Sequence, residues 1–281
     1  MRDPVIVLKF GGSVLRDEAA VRVAAGEAAR FVADGWRVVA VVSALEGTTD
    51  RLLAQSRGYG EHTHAPSAAL LLATGELTSA ALLGLALAQR GLGVETLDAA
   101  SIGLRTTDDP LDASPVSLDE ATVLGALARA SVVVVPGFVG RDATGRTTLL
   151  GRGGSDLTAL FLADRLGAAC RLVKDVDGLY EWDPAAPGPR PRRYSTLPWE
   201  QALRLDGTIV QHKAVRWAQE RGLTFEVSCI GGRNASRVGP LDVGFDGEET
   251  GPERPRPESA RPRPERTERT EREESACCAR G

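Results

Sequence analysis

Short runs of Val, Ile and Leu alternate along the chain with longer stretches in which apolar residues recur three and four positions apart. The short runs read as buried strands and the longer periodic stretches as helices. Their alternation is the pattern of a mainly parallel sheet covered by helices on both faces. The first strand is predicted over Val5 to Phe10, followed by Gly11-Gly12-Ser13 and a helix from about Asp17 to Ala33. A second strand covers Trp36 to Val42 and ends at Ser43. Helices follow at Thr48 to Gln55 and Pro66 to Arg90, then a short strand at Val94 to Asp98, a helix at Leu118 to Ala130 and a β-branched strand at Ser131 to Pro136.

The texture then changes. Phe138 to Thr148 reads as a hairpin with its turn at Asp142 to Gly145. Gly151-Arg152-Gly153-Gly154-Ser155-Asp156 opens a helix that runs to about Leu166, and Cys170 to Lys174 is a further strand. A Pro- and Arg-rich loop is expected from Asp183 to Pro198, with Arg190, Arg192 and Arg193 solvated rather than reaching phosphates. Helices near Trp199 to Leu205 and Gln211 to Gln219 lead to a last strand at Thr224 to Cys229. From Gly244 the chain is Glu, Arg, Pro, Thr and Ser with almost nothing apolar, too little to offset chain entropy. The expected organisation is therefore one folded domain over 1–243 and a disordered charged tail over 244–281, with Cys277-Cys278 carrying no special role.

Composition narrows the functional classes. A hydrophobic fraction of 42% supports a sizeable core, and 5% aromatics means that Ala, Val and Leu must build it. The net charge of −4 argues against nucleic acid as the main partner. The 4 cysteines form neither a disulfide framework nor a CxxC metal site. Met1 to Pro4 leads straight into a strand, so no signal peptide is expected, and the apolar stretch from Ala65 to Ala88 is interrupted by Glu76, as a core helix rather than a membrane span would be. The expected location is cytoplasmic.

Lys9-Phe10-Gly11-Gly12-Ser13 ends the first strand with a cation and two glycines, whose amides can approach phosphate oxygens closely. It is not a P-loop, because the Lys precedes the glycines, and Gly151 to Asp156 is not a dinucleotide fingerprint, because Asp stands where a third Gly belongs. Taken alone, Lys-x-Gly-Gly reads equally well as a tight turn. It is accompanied by Val41-Val42-Ser43-Ala44 with Thr49, Leu72-Ala73-Thr74-Gly75-Glu76, Gly103-Leu104-Arg105-Thr106, Pro136-Gly137-Phe138, Gly151 to Asp156, and Lys174-Asp175-Val176-Asp177-Gly178-Leu179-Tyr180 with Asp183-Pro184. In order and spacing, over roughly residues 4 to 230, this set resembles the catalytic domain of aspartate kinases in the amino-acid kinase superfamily.

The resemblance implies an α/β fold, a three-layer αβα sandwich, and transfer of the γ-phosphoryl of ATP, with Mg2+, to the side-chain carboxylate of L-aspartate in amino-acid biosynthesis. It implies Lys9 and Asp156 as catalytic residues, and Ser43, Thr49, Glu76, Arg152 and Ser155 as the acceptor site. Glu76 would take the α-ammonium and Arg152 the α-carboxylate, while Asp156 would orient Lys9 or Mg2+ ligands. Lys9, Gly11, Gly12, Ser13, Lys174, Asp175, Asp177, Tyr180 and Asp183 would hold the nucleotide; no protein-borne metal site and no nucleic-acid or membrane partner is expected, and a homodimer is. Each has a plainer reading: Glu76 as a buried acid paired with a core Arg, Arg152 as a bridge between surface carboxylates, and Asp177-Gly178 as a turn.

Two departures stand out. Thr208 replaces the Lys that the family carries near the start of a late helix, and Lys174 stands where Thr is usual. Lys174 and Lys213 are the candidates to restore the missing phosphate-facing charge. The chain also ends where the family continues into regulatory domains, which predicts no feedback inhibition by lysine or threonine. Competing readings are a kinase of the same fold acting on another small acid or phosphate, and a catalytically weak nucleotide-binding regulatory paralogue.

Overall fold

The computed structural model describes residues 3–60 and 64–247. His62 and, within the segment read as a tail, residues 248–281 with Cys277 and Cys278 lie outside the described residues.

The first half runs β1 (Val5–Phe10), α1 (Glu18–Ala33), β2 (Arg37–Val42), α2 (Thr48–Arg57), α3 (Ala65–Gln89), β3 (Val94–Thr96), β4 (Arg105–Thr106), β5 (Pro115–Ser117), α4 (Glu120–Arg129) and β6 (Val132–Pro136). It continues with β7 (Val139–Arg141), β8 (Thr147–Leu149), α5 (Gly154–Leu166), β9 (Ala169–Lys174), β10 (Tyr194–Pro198), α6 (Trp199–Ala202), α7 (His212–Arg221), β11 (Phe225–Cys229), β12 (Ser236–Gly239) and β13 (Gly244–Phe245). A nine-stranded sheet has the order β13-β10-β12-β11-β9-β1-β2-β6-β3. Its middle is parallel, and antiparallel pairs occur only at β11–β12 and β10–β13. A second sheet orders β5-β4-β7-β8.

Interior parallel strands are buried on both faces and so read as continuous apolar runs. Alternate residues nevertheless serve different cores. Val7, Val39, Val41, Val133, Val135 and Leu172 pack on α4, α5 and α7, through residues such as Leu127, Leu160 and Val215. Ile6, Leu8, Phe10, Val38, Ala40 and Val134 face the other way, onto Val21, Ala24 and Ala28 of α1 and Leu83 and Leu87 of α3. The result is the expected three-layer αβα sandwich. α3 is, among the described residues, long and apolar enough to cross a membrane by length and composition, yet half of its most apolar stretch is buried in the fold.

Local chemistry sets several boundaries. Asp17 caps α1 by accepting from Ala20 N at 2.8 Å. In the β7–β8 turn Asp142 accepts from Thr144 N at 2.8 Å and Arg146 N at 2.9 Å, which fixes the expected hairpin.

Two expectations are corrected. The loop read from Asp183 to Pro198 ends in β10, an interior strand of the large sheet. Its inward residues Tyr194 and Leu197 are too few, and too close to Pro and Arg, to show a period. Gly244 and Phe245, read as the start of the tail, form β13 beside β10. Phe245 stacks on Tyr194 with ring centroids 4.8 Å apart, and Asp246 ion-pairs with Arg193, so the fold continues beyond residue 243.

Candidate active site

The carboxyl ends of β1, β2, β6 and β9 lie along one edge of the large sheet, where ligands bind in open α/β sheets. Strand periodicity then decides which side chains meet. Lys9 pairs with Leu172 across β1 and β9, so both point to the same face. Lys174, two residues beyond Leu172, points that way too. That face is covered by α5, whose first turn contains Asp156.

The three meet accordingly. Lys9 Nζ lies 2.7 Å from Asp156 Oδ1. Lys174 Nζ donates to Oδ1 at 3.1 Å and to Oδ2 at 2.9 Å. All three side chains are buried. Burial by itself would raise the Asp156 carboxyl, but Lys174 and Lys9 outweigh it and hold the group below its ordinary value. For Lys174 burial wins: the ammonium is brought down to about 8, with Lys9 adding to the effect and Asp156 opposing it. A Cβ on Gly11 would lie 3.2 Å from Lys9 Nζ, so the glycine leaves that ammonium open.

Glu76 sits in the middle of α3 and is buried. Its Oε1 accepts from Ala44 N at 3.1 Å, while its Oε2 is buried with no hydrogen-bond partner among the described residues. Burial pushes its carboxyl up to about 7, against the Ala44 N–H and the charge of Lys9. Gly75 makes this approach possible, because a Cβ there would come within 2.9 Å of Ala44 Cβ. Among the described residues no arginine pairs with Glu76.

Ser155 is buried in the first turn of α5, whose leading amides have no intrahelical partner and favour an anion. Phe138 holds φ 67°, the one non-glycine residue with positive φ among those described, and donates its N–H to Thr158 Oγ1 at 3.0 Å. The side chains of Ser43, Thr49 and Arg152 make no hydrogen bond among the described residues, and Arg152 is exposed.

On the other flank, Ser13 Oγ donates to Asp175 Oδ1 at 2.9 Å and ties the glycine turn after β1 to the turn after β9. Tyr180 donates its hydroxyl to Asp177 at 2.8 Å. A cavity of about 490 Å3 opens beside this turn, lined by Gly178, Tyr180, Asp183, Leu205, Thr208 and Val210 among others. Thr208 gives both its N–H and its hydroxyl to Asp206 Oδ1, at 2.8 and 2.7 Å, and brings no charge. Lys213 is engaged elsewhere, with Asp112 Oδ1 at 2.5 Å and Leu150 O at 2.8 Å.

The structure thus joins Lys9, Asp156, Lys174 and Gly11 directly, sets Glu76 within the field of Lys9, and links Ser13 to Asp175. Tyr180 and Asp183 flank the cavity, while Arg152 and Thr49 bond to none of these residues.

Sequence reasoning missed three contacts. One is the backbone N–H of Ala44 as the partner of Glu76, which no side-chain motif announces. Another is the Lys174–Asp156 pair, which the two-residue period from Leu172 could have exposed. The third is Arg193, expected to be solvated but buried: it donates from Nη1 to Asp177 O at 2.7 Å and from Nε and Nη2 to Asp246 at 2.6 and 2.9 Å. Its burial follows from β10, which the sequence concealed.

Comparison with known proteins places this geometry in context. An aspartokinase of Thermus thermophilus is 33% identical over 227 residues, covering 79% of this chain and 56% of that relative. An aspartokinase of Pseudomonas aeruginosa is likewise 33% identical over 227 residues, covering 79% of this chain and 55% of the relative. The chain spans about half the length of these curated relatives. Among solved structures, aspartate kinase from Synechocystis superposes with a TM-score of 0.71 at 28% identity, over 85% of this chain and 40% of that one. Isopentenyl phosphate kinase shares the fold at a TM-score of 0.62 and 17% identity, over 83% of this chain and 100% of that one. The model of the amino acid kinase family matches residues 4–227, and the chain belongs to that family.

Proposed function

We propose that this chain transfers the γ-phosphoryl of MgATP to the side-chain carboxylate of L-aspartate, giving 4-phospho-L-aspartate. The observation that carries the reading is Glu76 Oε2, a buried carboxylate oxygen without a partner beside a buried lysine. A buried unpaired acceptor is costly, and the α-ammonium of an amino acid supplies the missing donor. A phosphomonoester or an N-acylated acid would not. The aspartokinase relatives support the same acceptor.

A side-chain carboxylate is already ionised at pH 7, so the nucleophile needs no general base. The work of the site is to hold two anions in line and neutralise the charge that spreads over the transferring group. One P–O bond to ADP breaks as one P–O bond to the acceptor carboxylate forms, and no proton changes hands. Lys9 provides positive charge, Asp156 fixes Lys9, and the amides around Gly11, Gly12 and Ser155 donate to phosphate oxygens. Arg152, Ser43 and Thr49, with unbonded side chains, complete the acceptor site, and Asp175, Asp177, Tyr180 and Asp183 border the nucleotide. Mg2+ is taken to travel with the ATP phosphates, as is usual for this ion. The reading includes a cytoplasmic homodimer, which sedimentation of the purified chain tests.

The experiment is to incubate the purified protein with MgATP and a panel of small acids and trap acyl phosphate with hydroxylamine. Aspartate-dependent hydroxamate, lost in Lys9→Ala, is the expected result. Turnover with a different acid moves the acceptor, and ATP binding without any turnover makes the chain a regulatory paralogue.

A further inference from the structure

In direct contact, the buried cluster sets two lysines against one carboxylate. Lys9 and Lys174 both bond to the single carboxylate of Asp156. Glu76 is the other buried acid in reach, and its free oxygen is committed to the acceptor's ammonium in the function proposed above. With the acceptor bound, one lysine is left without a counter-charge. An unpaired ion in a dry interior is expensive, so a fold that keeps one there is arranged for an anion that arrives.

Neither the position of Thr208 nor Lys213 meets this need. Thr208 is uncharged and bonded to Asp206, and Lys213 is held by Asp112 and two carbonyls. Lys174 is placed differently. It ends β9 opposite Cys229 of β11 and lines a second cavity of about 370 Å3 with Arg16, Asp17 and Asp175. Asp175 in turn holds the hydroxyl of Ser13 in the glycine turn. The ammonium of Lys174 shares Asp156 Oδ1 with that of Lys9, which lies beside Gly11 in the glycine turn.

We propose that Lys174 is a second phosphate-binding cation, reaching the ATP polyphosphate from the β9 side and supplying the charge that the chain lacks at Thr208. Asp156 is the positioning residue that holds the two ammonium groups on one carboxylate. The inference rests on ATP being the phosphoryl donor, and it holds whichever acid is the acceptor.

The test measures binding without an acceptor. ATP and adenosine are titrated calorimetrically into the intact chain and into Lys174→Met, Lys174→Arg and Lys174→Met/Thr208→Lys. Lys174→Met is expected to lose at least tenfold in ATP affinity and nothing in adenosine affinity, and the double variant to recover ATP binding. A merely structural role for Lys174 would weaken both ligands together. The charged groups that act on Lys174 are Lys9 from β1 and Asp156 from α5, while Arg16, Asp17, Asp175 and Cys229 line the cavity that the residue borders. Because the free ammonium loses its proton near about 8, ATP affinity should fall as pH rises past that value in the parent chain. It should stay level in Lys174→Arg, which keeps its charge. Parent-like ATP affinity in Lys174→Met, no recovery in the double variant, or the same alkaline fall in Lys174→Arg overturns the proposal. If aspartate proves not to be the acceptor, these binding results are untouched, so the two failures are separable.

Discussion

Replacing Glu76 with Gln should make the protein more stable at alkaline pH while removing acceptor binding. The carboxyl has an ordinary value of 4.5 and is pushed up to about 7 in the folded chain. An acid whose folded pKa is raised is ionised more readily when unfolded, so the native state loses stability as pH climbs from about 4.5 to 7 and keeps that loss above it. At about 1.4 kcal/mol per pH unit, the gap corresponds to about 3 kcal/mol. Gln keeps the shape and an acceptor for the Ala44 N–H but carries no charge, so it is spared this cost. For a folded unit of this size each kcal/mol moves Tm by roughly 2–4 °C. Glu76→Gln should therefore melt at about the parent temperature at pH 5 and roughly 6–12 °C higher at pH 8.5. Its amide presents an N–H toward the acceptor's ammonium, and the lost ion pair, about 3 kcal/mol, raises the acceptor KM on the order of 100-fold. Thermal melts of both proteins across pH, with hydroxamate kinetics alongside, check both halves. A melting difference that does not change with pH would refute the assignment of a raised Glu76 carboxyl, and an unchanged acceptor KM would remove Glu76 from the acceptor site.

Three other perturbations test the surrounding geometry. Asp156→Asn leaves Lys9 and Lys174 buried without a counter-charge, and should cost about 3–5 kcal/mol in chemical denaturation while abolishing transfer. Gly75→Val drives a side chain into Ala44 and Thr48, costing about 1–3 kcal/mol, and by shifting the Ala44 N–H off Glu76 it should raise the acceptor KM more than the ATP KM in steady-state assays. Asp246→Ala removes the bidentate partner of buried Arg193, which braces Asp177 O. A loss of about 2 kcal/mol in stability and a several-fold rise in the ATP KM, with the acceptor KM unchanged, are expected, and parent-like kinetics would mean that β13 does not support the nucleotide turn.

The central sheet was legible because its strands are continuous Val-rich runs and its helices carry long apolar periods. Val5 to Phe10 is bounded alike in sequence and in structure, and Asp17 stands as the helix cap just before Glu18. What stayed hidden is short or depends on partners far along the chain. β10 has two inward side chains among Pro and Arg, and β13 is only Gly244–Phe245, held by Tyr194 and Arg193 about fifty residues earlier. No local window contains that information. The candidate site divides in the same way. Motifs identified Lys9, Glu76 and Asp156, but the partner of Glu76 is a backbone N–H set by the packing of Gly75 on Ala44, and the second cation of Asp156 comes from the end of another strand.

That division has a physical reason in the transfer step. Charge stabilisation is strongest where groups are dry and fixed, so the side chains nearest the transferring phosphoryl must be held by several elements at once. In the proposed transfer, Lys9, Lys174, Asp156 and Glu76 would satisfy this: β1, β9, α5 and α3 each contribute one, and all are buried. The nucleotide's base and ribose require shape more than charge. Asp175, Asp177 and Asp183, proposed to border the nucleotide, are exposed on turns, Asp177 and Asp183 held by local bonds to Tyr180 and Ala185 and Asp175 by Ser13 of the glycine turn. Substitutions in the dry half should therefore change transfer and stability together, as expected for Asp156→Asn. Changes along the turns should alter nucleotide affinity with little change in stability, except at Arg193 and Leu179, which tie the turn to the sheet.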